Sequence, residues 1–152
     1  MERIIFQSNK QKLLADTITP VSIYLRLRDE FAGSIMLESS DYHGNENSFS
    51  YICCDPLASF EVVGDQLKID YPNREEHVKP VDRSNLLSEL NTFVSSFSYK
   101  EDEEKFVTNG LFGYMTYDSV RFFEDVDLVN IQQDIPDIIY RVYRYVVIID
   151  HF

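Results

Sequence analysis

The stretch Gly-Leu-Phe-Gly-Tyr-Met-Thr-Tyr-Asp-Ser-Val-Arg-Phe-Phe-Glu, Gly110 to Glu124, limits what this chain can fold into more than any other part of it. Leu111 to Tyr117 is dense in aromatic and aliphatic residues and reads as a strand. Gly113 within it has no Cβ, so another backbone or side chain is expected to pack closely on that face. Asp118 suits an N-cap, and Val120, Phe122 and Phe123 then give a short amphipathic helix ending near Glu124. The fold must hold a buried strand that runs directly into a covering helix.

The remaining segments can be placed around this unit. Ile4 to Phe6 is a short apolar run with strand character, and Gln7 to Ile18 is largely polar. Thr19-Pro20 provides a cap and a proline at the first helical position, predicting a helix from Pro20 to Phe31 with Val21, Tyr24, Leu25 and Phe31 on its buried face. Gly33 stops it. Ser34 to Ser40 reads as a strand ending in a charged, hydroxylated tip, followed by a polar loop from Asp41 to Ser48 and a strand from Phe49 to Cys54 that Asp55-Pro56 is expected to break. Leu57 to Val63 and Gln66 to Tyr71 flank Gly64-Asp65 as a tight hairpin. Pro72 to Lys79 reads as polar linker. Asp82 is the expected cap of a helix in which Leu86, Leu90, Phe93, Val94 and Phe97 recur at helical spacing. Tyr99 to Lys105 reads as a solvated acidic connection. The last long run, Ile138 to Asp150, is β-branched and aromatic and reads as a strand with both faces largely covered. Strands without a βαβ rhythm indicate an α+β fold of antiparallel, sandwich-like sheets with two to three covering helices.

Composition excludes several classes of function. The formal charge of -12, from 14 basic and 26 acidic residues, would repel a phosphate backbone or an anionic membrane surface. No apolar run approaches the roughly 20 residues that span a bilayer, and the N-terminus lacks the features of a secretory signal. Cys53 and Cys54 are adjacent, a poor geometry for a bridge, which fits a reducing cytoplasm. His43, His77 and His151 fall at no metal-ligand spacing, and there is no glycine-rich phosphate loop. No metal site and no catalytic residue is assigned. Asp118, Arg121 and Glu124 read as a helix cap and surface ion pairs.

The order of residues from Gly110 to Glu124 resembles the Gly-Gly-Leu-x-Gly-Tyr-x-x-Tyr-Asp-x-Val-Arg-x-x-Glu signature in the N-terminal half of anthranilate synthase component I. Ile35-Met36-Leu37-Glu38-Ser39-Ser40 is similar to the Leu-Leu-Glu-Ser motif of that family, and Phe49-Ser50-Tyr51-Ile52 with Asp55-Pro56 follows in the same order. The resemblance implies that residues 1–152 form an N-terminal regulatory and scaffolding domain, with the chorismate-binding catalytic part absent. The abrupt end at Phe152, without a polar tail, agrees with a chain cut inside a longer protein. It also implies a lyase that converts chorismate and ammonia to anthranilate and pyruvate for L-tryptophan synthesis. Its ammonia would come from a glutamine amidotransferase subunit, component II. Mg2+ would be bound outside this chain, and L-tryptophan would inhibit by feedback.

An amino-acid ligand needs an acceptor for its ammonium and donors for its carboxylate. Glu38 supplies the acceptor and Ser39 a hydroxyl; Ser50 would supply another if the two strands pair. Through the resemblance, Leu37, Glu38 and Ser39 match the L-tryptophan feedback site, to which Ser50 is added. Where the family commonly carries a basic residue before the aromatic of the second motif, this chain has Ser48. Aminodeoxychorismate synthase and isochorismate- or salicylate-forming enzymes share a related architecture, and a stand-alone small-ligand binding module is a reading of a different class.

Overall fold

The computed structural model describes residues 3–38, 48–72, 76–99, 104–126, 128 and 135–151. Strands are β1 (Ile4–Phe6), β2 (Ile35–Glu38), β3 (Phe49–Val63), β4 (Gln66–Asp70), β5 (His77–Pro80), β6 (Phe97–Tyr99), β7 (Phe112–Met115) and β8 (Ile138–Asp150). Helices are α1 (Pro20–Glu30) and α2 (Leu86–Ser95), with a 3-10 helix over Tyr117–Phe122. The fold is α+β. One sheet runs β5-β4-β3-β8-β7 with β2 also paired to β3, and β1 and β6 form a separate pair. The chain divides into two compact units, and β3 and β8 contribute residues to both.

The first unit comprises Met1–Phe6, Leu57–Ser98 and Leu111–Val142. Its hairpin forms where Gly64-Asp65 suggested: Val63 faces Gln66, and Gly64 takes φ +58, a conformation that costs glycine little. The expected α2 face holds in part: Leu86 and Phe93 are buried, but Val94 is 45% exposed. Phe93 is the hub of an aromatic cluster, with ring centroids 5.0 Å from Phe97, 5.4 Å from Tyr71 and 5.7 Å from Phe60. Such geometry favours aromatic pairs beyond simple burial. Phe97 has left the helix by this point and belongs to β6, where it stacks on Phe6.

Three expectations are corrected in this unit. Asn85, not Asp82, occupies the N-cap of α2. Asp82 organises the preceding turn, accepting from the Ser84 amide and hydroxyl and from Asn85 Nδ2. These bonds hold its carboxyl below the usual range, the Ser84 hydroxyl most strongly. The segment read as polar linker contains β5, antiparallel to β4 with His77 facing Ile69. All four β5 residues are exposed, so it has no apolar face to betray it; lysine and proline are ordinary edge-strand residues. Thr116 takes the N-cap position expected for Asp118, and the helix that follows is of the 3-10 type.

Gly113 behaves as its sequence context required. It pairs with Tyr140 of β8, and a Cβ built on it would lie 1.8 Å from the Ile139 carbonyl oxygen. Nothing but glycine fits there.

The second unit comprises Gln7–Pro56, Tyr99–Gly110 and Tyr143–Phe152. Thr19 and Ser22 form a reciprocal capping box that starts α1, and Pro20 sits in its first turn. The expected buried face is not observed: α1 has no buried residue, and Val21 and Leu25 are 47% and 43% exposed. Gly33, at φ +76, turns the chain into β2, and its carbonyl accepts from the Tyr143 hydroxyl at 2.9 Å.

Asp55-Pro56 does not end the strand; β3 continues through it. Asp55 absorbs the irregularity at φ +59, in the left-handed region that short polar residues tolerate better than most. Its carboxylate accepts from Arg144 Nε on β8.

Candidate functional site

Two clusters of charged or polar side chains stand out, one in each unit, and they differ in accessibility. In the first, Arg121 on the 3-10 helix donates two hydrogen bonds to the Asp137 carboxylate, at 2.7 and 2.6 Å, and a third to the Asp118 carbonyl. Its guanidinium also lies 4.4 Å from the Phe122 ring centroid. The side chains of Arg121 and Asp137 are only 8% and 4% exposed. The surface ion pairs expected for this stretch are thus replaced by a buried bidentate pair, whose carboxylate raises the guanidinium pKa above its ordinary value. Buried and mutually satisfied, this pair has structural character.

The second cluster lies at the end of β2. The antiparallel register aligns Leu37 with Tyr51 and Glu38 with Ser50, so the two strand segments singled out in the sequence are direct neighbours. Residues directly opposite in such a pair project from the same face, with Cβ atoms about 5 Å apart. Glu38 is exposed and Leu37 half-buried. Ser39 lies outside the described residues. Ser50 is 1% exposed, and its Oγ is 2.7 Å from His151 Nε2. The hydroxyl expected to face a ligand is therefore engaged by an imidazole.

Local structure explains how His151 arrives there. β8 ends at Asp150, and the His151 backbone N–H donates to the Ser48 carbonyl at 3.1 Å, which fixes the residue beside the start of β3. On the alternate β3 positions, Phe49 meets Phe106 edge to face at 5.5 Å, and the Tyr51 hydroxyl accepts from the Val107 amide. These contacts use the face of β3 opposite to that of Ser50, because side chains alternate along a strand. Glu38, Ser50 and His151 are left as a polar row: an exposed carboxylate, a buried hydroxyl and an exposed imidazole.

Nothing in the local sequence pointed to His151, which is 101 positions from Ser50. The available signal was its place directly after the long strand, where a side chain emerges at a sheet end. Cys53 and Cys54 are buried close by in the chain; burial, aided by the neighbouring Cys54, pushes the Cys53 thiol up to about 12. Burial also raises the Cys54 pKa, with Asp55 adding to the effect. Neither cysteine has the lowered pKa of a reactive thiol. Among the described residues, no group of three or more His, Cys, Asp or Glu side chains is arranged to hold a metal ion, and no helix is long and apolar enough to cross a membrane.

Comparison with known proteins adds to this geometry. No family model matches the chain. It is 30% identical over 143 residues to a protein of Aquifex aeolicus (strain VF5) named anthranilate synthase component 1, a match covering 91% of this chain and 27% of that relative. It is 26% identical over 143 residues to the protein of the same name from Lactococcus lactis subsp. lactis (strain IL1403), covering 93% of this chain and 29% of that one. The chain thus spans between a quarter and a third of the length of these curated relatives.

Proposed function

The chain is a relative of anthranilate synthase component 1 along about nine-tenths of its own length, and on that premise we propose that it is the N-terminal regulatory part of such an enzyme, contributing to an L-tryptophan feedback site. The complete protein would be a lyase making anthranilate and pyruvate from chorismate and ammonia. A glutamine amidotransferase subunit would supply the ammonia, and Mg2+ would be bound by residues outside this chain. The setting would be cytoplasmic.

The observation that supports the regulatory reading is the pairing of Glu38 with Ser50. It sets two segments 12 positions apart side by side and leaves an exposed carboxylate that would accept the ligand's ammonium. Leu37 and Ser39 flank that carboxylate in sequence. Losing a charged hydrogen-bond partner costs about 1.5–3 kcal/mol, so Glu38→Ala should weaken tryptophan binding by about ten- to a hundredfold.

The test is a tryptophan inhibition curve for the complete gene product and its Glu38→Ala variant, each normalised to its own uninhibited rate. A curve displaced to higher tryptophan supports the site; superimposable curves remove Glu38 from it. The chain alone, incubated with chorismate, Mg2+ and ammonium, should form no anthranilate above a no-protein control. Alone it should also bind tryptophan weakly, since part of the site would be contributed by residues outside it and the ordering cost would be uncompensated.

A further inference from the structure

We infer that His151 is a ligand-contacting residue of the Glu38 site, recognising the carboxylate of the bound amino acid, and that the buried Ser50 hydroxyl is the positioning residue that fixes its ring. The inference rests on the amino-acid-binding reading above and adds the half of the ligand that Glu38 cannot serve.

The geometry divides the labour between the two residues. Ser50 is 1% exposed, so its hydroxyl is poorly placed to meet a ligand. It is well placed to hold something that does: His151 Nε2 lies 2.7 Å from Ser50 Oγ, and His151 is exposed. The His151 amide bond to the Ser48 carbonyl tethers the backbone at the same point. Two anchors, one on the main chain and one on the ring, leave the imidazole little rotational freedom and reduce the entropy lost on binding.

Chemistry then sets the direction of recognition. With Nε2 turned to the Ser50 hydroxyl, Nδ1 is the ring nitrogen that faces away from the serine, and it is a donor in the tautomer in which the hydroxyl donates to Nε2. Among the described residues no partner is found for Nδ1. An N–H donor at this position complements a carboxylate, as Glu38 complements an ammonium. Glu38 faces Ser50 directly across the β2–β3 pair, and His151 is bonded to that same Ser50, so acceptor and donor are brought to one face of the sheet.

The experiment compares two ligands on the complete gene product by calorimetric titration: L-tryptophan, and tryptamine, which lacks only the carboxylate. His151→Leu should lose about ten- to a hundredfold in tryptophan affinity and leave tryptamine affinity as in the wild type. Ser50→Ala, which frees the ring without removing it, should show the same selectivity with a smaller loss. His151→Gln, whose side-chain amide can reach Ser50 and still donate, should recover part of the tryptophan affinity. Unchanged tryptamine binding also certifies that each variant is folded.

Equal losses for both ligands would overturn the inference, since they would mean a merely structural role. So would wild-type tryptophan affinity in His151→Leu; if Glu38→Ala weakens tryptophan at the same time, the amino-acid site stands and only the assignment of His151 falls. A wild-type protein that binds neither ligand overturns the amino-acid site and the inference together.

Discussion

The Arg121–Asp137 pair of the first unit and the Glu38–Ser50–His151 row of the second are both built from polar side chains, yet physical chemistry gives them opposite uses. Arg121 and Asp137 are desolvated and consume each other's hydrogen-bonding capacity, with the Asp118 carbonyl and the Phe122 ring taking up more of the guanidinium. A charge treated this way is unavailable to any ligand. At the second cluster only Ser50 is buried, while the carboxylate and the imidazole that flank it are exposed. What separates a structural polar cluster from a candidate site is therefore how much capacity remains unspent, more than which residue types are present.

The surrounding packing follows the same division. The first unit holds a contiguous buried cluster that includes Phe60, Phe93, Leu86 and Ile138. In the second unit, α1 buries no residue at all. The buried apolar residues of the second unit lie on its strands, among them Ile52, Cys53 and Cys54, and leave its helix exposed.

The largest test of this contrast is at Gly113. Gly113→Val would drive a side chain into the Ile139 carbonyl, 1.8 Å from its first carbon. A loss above about 4 kcal/mol is expected, enough to leave little folded protein in circular dichroism or expression assays. A variant that folds with native stability would show that β7 and β8 are not so closely paired.

Next in size is the buried pair. Asp137→Ala strands the Arg121 guanidinium and should cost about 3–5 kcal/mol in denaturant unfolding. The double variant Arg121→Met/Asp137→Leu removes both charges and should be markedly more stable than the single one. If the single variant costs less than about 1 kcal/mol, the pair is not desolvated and the contrast with the second unit fails. By comparison, Glu38→Ala should change stability by less than about 0.5 kcal/mol, as exposed positions usually do, whereas His151→Ala leaves the buried Ser50 hydroxyl without its imidazole partner and should cost about 1–3 kcal/mol. A large loss in Glu38→Ala would reassign that residue to structure.

A smaller, pH-dependent effect is expected from Cys53. Its thiol is held protonated to about pH 12 in the folded state, against an ordinary value of 9.0. Between these values the unfolded chain gives up a proton that the folded chain retains. The stability contribution is thus complete below pH 9.0 and is lost as pH rises from 9.0 toward 12. Urea midpoints across this range should fall less steeply in Cys53→Ala than in wild type, whereas near neutral pH Cys53 should resist thiol reagents until the protein unfolds.

Much of the fold was legible from local pattern. The α2 face, the Gly64-Asp65 hairpin, the close approach at Gly113 and the extent of β8 each depend on residues adjacent in sequence or at a fixed period. Burial selects one face of each element, and that selection leaves a periodic trace. Where burial does not act, the trace is missing: β5 is an edge strand with every residue exposed, so it looked like linker. The Thr19-Pro20 start of α1 was readable because a cap is local chemistry, but apolar spacing along that helix said nothing about whether a partner would cover it.

At the candidate site the sequence by itself determined Glu38, a carboxylate at the polar tip of an apolar strand, and the nearby hydroxyl of Ser50. Only the tertiary structure decided that Glu38 faces Ser50, that Ser50 is buried, and that His151 comes from 101 positions away to hold it. It likewise decided that Arg121 would turn inward to Asp137 instead of lying on the surface. The physical reason is common to all of these. Periodicity reports which side of an element avoids water, whereas the partner of a polar side chain is set by strand register and by where distant strands end, and neither leaves a mark on the residues nearby.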